Sequence, residues 1–260
     1  MSAQISPLTV DTISNPQGIA EEQHSLLHSL ALHILPGIFI LTVFVVTAPL
    51  TLRAGLPPLL PMLFGAVLGL AFQVWHLYTE GRKRNGKWSL EGIVGYRAPL
   101  PLWQFTALVF GCVFLAFLIN GLAAPLGALL LNLMPWLPEW FEMRDLTLLS
   151  AYPRHLLIVT FGLYLLINGL AAPIIEELYF RGHLMPRLAR FGRLTPIIET
   201  ALFTFYHFWQ PYYWLTVFLG MLPVVYAVWW KRNVWLGIVI HLLLNCIGGL
   251  LTFALVLGQG

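Results

Sequence analysis

Four polar side chains that lie in apolar stretches of the sequence could together carry out a reaction. They are a glutamate, two histidines and an asparagine: Glu176, His207, His241 and Asn245. A carboxylate and an imidazole within hydrogen-bonding distance can hold a water molecule and remove its proton. A second imidazole and an amide supply N–H donors, which are the parts of an oxyanion hole. These residue types together indicate hydrolysis of an amide bond.

Glu176 differs from the other acidic residues because it has no local partner. Of the 11 Asp and Glu residues, eight fall in the tail or in loops, and three lie in or against apolar stretches: Glu176, Glu177 and Glu199. An ionised carboxylate at the centre of a bilayer costs on the order of 2.5–3.5 kcal/mol. Arg181 lies one helical turn after Glu177 and can pair with it, while Glu199 lies near a predicted helix start, where the helix dipole favours a carboxylate. The alternative is that Glu176 and Glu177 are simply solvated at the membrane surface.

A rival interpretation of the same side chains is a metal site. Glu176, His207 and His241 offer the three protein ligands of a catalytic zinc, with water in the fourth position. The sequence contains neither HExxH nor GxSxG. Cys112 and Cys246 lie in apolar runs without a neighbouring base, so we expect both to be inert packing residues.

The composition defines the class of protein that must position these groups. The chain has 260 residues, of which 58% are hydrophobic and 10% are charged, whereas a soluble domain carries about 25% charged residues. This composition excludes disorder, a fibrous rod, a disulfide-rich secreted module and a nucleic-acid-binding protein. It predicts an all-α polytopic bundle of transmembrane helices in a lipid bilayer.

Apolar runs predict about seven membrane spans, since each span needs about 20 apolar residues. A partial eighth helix is expected in the apolar extension of the third span, which continues to about residue 137. The first 27 residues, which contain no Lys or Arg, are expected to be a cytoplasmic tail. The predicted spans are 29–51, 57–78, 102–124, 155–178, 196–209 (a short one), 212–230 and 234–257.

The basic residues predict the orientation of the bundle. Three of the 14 Lys and Arg residues fall on one side, namely Arg53, Arg144 and Arg154. The positive-inside rule then predicts a multi-pass cell-membrane protein whose N-terminus is cytoplasmic. The other eleven fall on the opposite side: Arg82, Lys83, Arg84, Lys87, Arg97, Arg181, Arg187, Arg190, Arg193, Lys231 and Arg232.

An eight-residue repeat precedes the glutamates. Residues 118–125 and 166–173 both read LINGLAAP, and only the second copy continues into charged residues. Small residues such as these suit close helix–helix contact in lipid, and the final proline interrupts a helix. The repeat is compatible with either a duplication or a reused packing motif. Counting residues from the helix ends places His207 deeper than Glu176, so either the fifth helix begins outside the membrane or the polar groups lie in a sloping cavity that opens to the inner face.

Three motifs in this order resemble the CPBP family of intramembrane proteases, also called ABI, which includes CAAX proteases and bacteriocin-processing or immunity proteins. The resemblance covers about residues 155–250. The motifs are EExxxR at Glu176, Glu177 and Arg181, FxxxH at Phe203 and His207, and HxxxN at His241 and Asn245.

The resemblance implies a helical bundle with a conical cavity that opens to the cytoplasm. It implies that Glu176 and His207 activate the attacking water and that His241 and Asn245 hold the oxyanion. Glu177, Arg181 and Phe203 would have supporting roles. Glu177 and Arg181 would support the helix that carries EExxxR (the motif helix). It favours a metal-free, glutamate-dependent mechanism, so we expect no cofactor, with zinc as the variant that stays open.

The resemblance also divides the chain and suggests its partners. Residues 1–27 would be the tail, 28–150 the N-terminal transmembrane helices with an outer loop, and 151–258 the catalytic core. The substrate would be a peptide or protein, prenylated or membrane-bound, and the membrane a prokaryotic inner membrane. Two alternatives remain: a non-catalytic membrane scaffold or bacteriocin self-immunity protein, and a proton or metal transporter.

Overall fold

The computed structural model describes residues 22–143 and 145–258. Most of the predicted tail therefore lies outside the described residues, and the first helix begins at Leu26. Within the described ranges the protein is helical, and the extended backbone forms only an isolated bridge between Arg97 and Asn233. The predicted all-α class is confirmed.

Nine α-helices follow one another along the described ranges of the chain. They are α1 (Leu26–Arg53), α2 (Leu59–Asn85), α3 (Leu102–Asn132), α4 (Leu146–Ser150), α5 (Arg154–Tyr164), α6 (Ala172–Glu176), α7 (Thr195–Tyr206), α8 (Trp214–Lys231) and α9 (Val234–Gly258). Short 3₁₀ turns at Glu139–Phe141 and Pro211–Tyr213 precede α4 and α8.

Six helical stretches of the described chain are long and apolar enough to cross a membrane. Five correspond to α1, α2, α3, α9 and α8 with its preceding turn, and the sixth is the continuous stretch Arg154–Tyr206. That stretch contains the predicted fourth and fifth spans. Its chain direction changes at Gly192, whose positive φ of 55° marks a kink. The fifth predicted span is α7, which at 12 residues is short for a spanning helix.

The helix that carries the glutamates is wound unevenly. The π-helical segments Leu165–Ala171 and Glu177–Leu184 lie on either side of α6. Such widened turns frequently occur at functional sites, because they rotate the following side chains and leave backbone carbonyls with altered partners. The second LINGLAAP copy lies across the first π segment, whereas the first copy is α-helical within α3.

Glycines allow the helices to approach closely where the core is formed. A Cβ atom placed on Gly37 of α1 would lie 2.2 Å from the carbonyl oxygen of Tyr206 at the end of α7. A Cβ on Gly65 of α2 would lie 2.5 Å from the carbonyl oxygen of Ile40 of α1. Because the helix backbones are in close contact at these glycines, α1 packs directly against α7, and α2 packs directly against α1.

The structure corrects the position of one basic residue. Arg181, counted in the sequence as a loop residue of the basic side, lies inside the second π segment with no exposed surface. It is buried because it pairs with acidic groups described below. The other ten basic residues of that set lie at one end of the bundle, in or near the connections between α2 and α3, before α7, and between α8 and α9. The inward orientation of this end stays a prediction.

We expect Gly37→Ala to destabilise the protein. The added methyl group would meet backbone atoms of α7, and overpacking of this kind costs about 1–3 kcal/mol. The measurement is the thermal unfolding midpoint of the purified protein in detergent. Gly111→Ala on α3 is the matched control, because nothing lies within 4 Å of its Cβ position. Equal midpoints for both variants would contradict the close contact.

Candidate active site

A cavity of about 420 Å³ brings the four predicted catalytic residues together. Glu176 comes from the end of α6, His207 from the residue after α7, and His241 and Asn245 from α9. All four side chains line the same cavity, and Phe203 contributes to its wall. Three elements that are far apart in the sequence thus converge on one space. Glu177 and Arg181 lie behind this wall, fully buried.

Glu176 is oriented by a tyrosine that sequence reasoning missed. Its side chain is only 6% exposed, and the Tyr206 hydroxyl donates a hydrogen bond of 3.0 Å to Glu176 Oε1. The Gln73 amide donates to the same hydroxyl over 3.4 Å. Tyr206 stands directly before His207, and Gln73 is a polar residue in an apolar span. Neither fact identifies a partner for Glu176, because both contacts join residues from different helices.

A buried ion network lies behind Glu176. Arg181 Nη1 is 3.2 Å from Glu177 Oε1, and Arg181 Nε is 3.4 Å from Glu199 Oε1. His241 Nδ1 is 3.1 Å from the same Glu177 oxygen. The side chains of Glu177, Arg181 and Glu199 are inaccessible to solvent. The predicted pair of Glu177 and Arg181 is therefore present, with two further members.

Glu199 lies near the start of a helix, as expected, and it contacts a side chain that was not predicted to be its partner. Glu199 lies one turn inside α7, which begins at Thr195, and points into the core toward Arg181. Its carboxyl group is the second acidic group beside the Arg181 guanidinium. Two carboxyl groups can be buried here because the Arg181 guanidinium contacts both of them.

Phe203 connects this network to the cavity. The Arg181 guanidinium carbon lies 3.9 Å from the centre of the Phe203 ring, a cation–π contact. The same ring meets His207 edge-on, with centroids 4.8 Å apart. Phe203 therefore fills the space between Arg181 and His207, which gives the first residue of FxxxH a packing role.

His207 presents one ring nitrogen to its own helix. Nδ1 lies 2.9 Å from the carbonyl oxygen of Phe203. Because a carbonyl can only accept, this contact assigns the proton of the neutral ring to Nδ1 and makes Nε2 the basic nitrogen of the ring. Tyr206 and Trp209 flank the ring, with centroids 4.8 and 5.0 Å away. The half-buried histidine is therefore held in one orientation at the cavity wall.

His241 and Asn245 are also fixed by contacts with the motif helix. The Asn245 side-chain amide donates to the Asn168 carbonyl over 2.8 Å, so one of its two N–H groups remains for the cavity. His241 is held through Nδ1 by Glu177. A Cβ on Gly237, one turn earlier, would lie 2.4 Å from Glu177 Oε2, so a glycine there lets the carboxylate pack against α9.

The donor groups do not form a metal site in this arrangement. Among the described residues, no three His, Cys, Asp or Glu side chains are grouped so that they could hold a metal ion. The predicted zinc ligands Glu176, His207 and His241 share the cavity wall without forming such a group. No step of the proposed reaction is assigned to a metal.

The stretch that contains the four predicted catalytic residues also matches a known protein family. Residues 158–247 match the type II CAAX prenyl endopeptidase Rce1-like family. The match covers about a third of the chain, contains all three motifs, and confirms the resemblance drawn from them. No curated protein and no solved structure matches the chain.

Similarity to the Rce1-like family supports a CAAX-type intramembrane protease in general, with a peptide or protein substrate in a membrane. The six long apolar helices support a multi-pass membrane protein. Tyr206 and Gln73, which orient Glu176, and the network member Glu199 add contacts that the three motifs do not contain.

We expect Arg181→Met to destabilise the protein strongly. The substitution leaves two buried carboxylates without their cation, and the loss of one partner from a buried ion pair costs about 3–5 kcal/mol. The measurement is the free energy of unfolding, with the exposed Arg193→Met as the matched control. If Arg181→Met unfolds no more easily than the control, the network does not stabilise the bundle.

Proposed function

We propose that the protein is an intramembrane endopeptidase that hydrolyses a peptide bond with an activated water molecule. The observation that carries the proposal is the convergence of Glu176 and His207, a carboxylate and an imidazole, on one cavity. The match of residues 158–247 to a CAAX endopeptidase family supports the same reaction class.

In the proposed mechanism, water binds between Glu176 and the Nε2 atom of His207. One of these bases takes a proton as the water oxygen attacks the substrate carbonyl, and the carbonyl oxygen becomes an oxyanion. The tetrahedral intermediate collapses when the C–N bond breaks. The proton held by the base is then donated to the leaving amine, which restores the site and yields a carboxylate and an amine.

His241 and Asn245 are proposed to stabilise the oxyanion. Asn245 has an N–H group in addition to the one that contacts the Asn168 carbonyl. His241 donates from Nε2 when the ring carries two protons, because Nδ1 then donates to Glu177.

The finer assignments are part of the same proposal. Glu177, Arg181 and Phe203 position the catalytic groups, and the reaction uses the glutamate without a cofactor. The substrate is a membrane-bound peptide or protein, processed either at a CAAX-type terminus or as a bacteriocin-like peptide. The protein would span a prokaryotic cell membrane with its N-terminus in the cytoplasm. A non-catalytic scaffold or immunity protein is the alternative, in which the cavity only binds its partner.

We expect Glu176→Gln to abolish cleavage while the protein remains folded. The amide can still accept the Tyr206 hydrogen bond but cannot take a proton from water. The measurement is the cleavage rate of a fluorogenic peptide that the purified wild-type protein hydrolyses. Glu139→Gln, an exposed carboxylate in the loop before α4, is the control and should retain full activity. Undiminished cleavage by Glu176→Gln would contradict the proposed role of Glu176, whereas a cellular phenotype that this substitution leaves intact would favour the scaffold alternative.

Asn245→Ala should slow the reaction without preventing substrate binding. Removal of one oxyanion donor typically lowers kcat by about 10²–10³. Since the lost contact strengthens in the transition state, KM should change much less than kcat. A raised KM with an unchanged kcat would indicate that Asn245 binds the substrate instead.

Treatment with a strong chelator tests the zinc variant directly. The glutamate mechanism predicts unchanged cleavage after prolonged incubation with the chelator and its removal by gel filtration. If the chelator abolishes cleavage and added zinc restores it, the zinc variant is favoured. Glu176, His207 and His241 would then have to rearrange into a set of zinc ligands.

A further inference from the structure

The cavity extends from Glu176 toward only one end of the bundle. Its wall includes Met62 near the start of α2, residues 116–128 in the second half of α3, and residues 216–221 in the first half of α8. It also includes residues of α9 from His241 onward. Gln210 and neighbouring residues of the connection before α8 line it as well, with Glu142 from the loop after α3.

This end of the bundle is opposite to the end that carries the basic residues. Helix α2 runs from Met62 toward Arg82, and α8 runs from the cavity wall toward Lys231. Helix α9 starts next to Arg232 and reaches the cavity wall only at His241. None of the cavity-lining residues is Lys or Arg. With the basic end placed inward, as the charges predict, the cavity lies on the side away from the inner face.

Packed side chains close the path from the basic end to Glu176. Tyr179, Phe180 and Leu184 follow the glutamates along the chain and are each 0% exposed. Val228 of α8 and Leu236 of α9, near the basic ends of those helices, are equally buried. A substrate that approached from this side would have to displace the core, including the Arg181 network.

We propose that the cavity receives its substrate from the extracytoplasmic side, as a membrane-anchored peptide segment at the outer half of the bilayer. The positive-inside rule places the ten basic residues of the loops in the cytoplasm, which leaves the cavity on the other face. The identity of the substrate as a peptide rests on the proposed function. The direction of access rests only on the geometry and the charge distribution.

The lining suits a peptide chain in contact with water. Asn120, Asn168, Gln210 and Thr216 supply donors and acceptors for a peptide backbone along the wall. A space of about 420 Å³ falls within the range that binds small ligands, so it holds a short stretch of extended chain. Of the two substrate types in the proposed function, access from this side fits the bacteriocin-like peptide and does not fit a CAAX-type terminus in the cytoplasm.

Cysteine labelling in intact cells tests the direction of access. In a protein with Cys112→Ala and Cys246→Ala, single cysteines replace Thr252 at the cavity wall, Glu139 in the loop before α4, and Lys87 in the basic connection after α2. A membrane-impermeant maleimide should label Thr252→Cys and Glu139→Cys in intact cells. It should label Lys87→Cys only after the cells are permeabilised.

Two results would overturn the proposal. Labelling of Lys87→Cys with protection of Glu139→Cys in intact cells would reverse the orientation. Labelling of Glu139→Cys without Thr252→Cys, when permeabilisation exposes Thr252→Cys, would show that the cavity opens inward. If removal of the native cysteines lowers the unfolding midpoint, each new cysteine is introduced into the protein that retains Cys112 and Cys246. Its labelling is then compared with the labelling of that parent protein.

The substrate side of the proposal is tested by comparing membrane peptides from cells with the wild-type protein and with Glu176→Gln. Cleavage sites that depend on Glu176 should map to extracytoplasmic segments next to membrane anchors. Sites in cytoplasmic segments would overturn the proposed access. Peptide sets that do not differ would contradict the proposed protease activity, while the labelling experiment still decides the direction of access.

Discussion

The buried contacts of Arg181 are the constraint on which the rest of this structure depends. A guanidinium without exposed surface is held between Glu177, Glu199 and the face of Phe203. Each partner belongs to a segment that also carries a cavity residue, so one cation ties the motif helix to α7. Glu177 extends the tie to α9 through His241. The catalytic geometry is thus a consequence of how charge is neutralised in an apolar interior.

The two adjacent glutamates have divided roles for this reason. Glu177 faces the ion network and α9, where Gly237 leaves room for its carboxylate. Glu176, the next side chain around the helix, faces the cavity and accepts a hydrogen bond from Tyr206. The π-helical winding that begins at Glu177 changes the angle between successive side chains here. One carboxylate is held for structure, and its neighbour remains accessible for chemistry.

Sequence reasoning predicted the elements of the site that depend on local spacing. The residues of EExxxR, FxxxH and HxxxN each lie on one helix or at its end, so their approximate relation follows from helical periodicity. Tyr206, Gln73 and the partner of Glu199 could not be predicted, because their contacts join different helices. The side on which the cavity opens also depends on packing: buried residues such as Phe180 close one end, and no single motif reports that.

The division of roles between the neighbouring glutamates is the central claim, and a comparison of unfolding midpoints tests it most directly. Glu177→Gln and Glu176→Gln are purified side by side, and the thermal midpoint of each is measured against the wild type. The account predicts a large fall for Glu177→Gln, which leaves Arg181 and His241 without their shared carboxylate, and little change for Glu176→Gln. Equal falls for both variants, or a fall for Glu176→Gln alone, would contradict it.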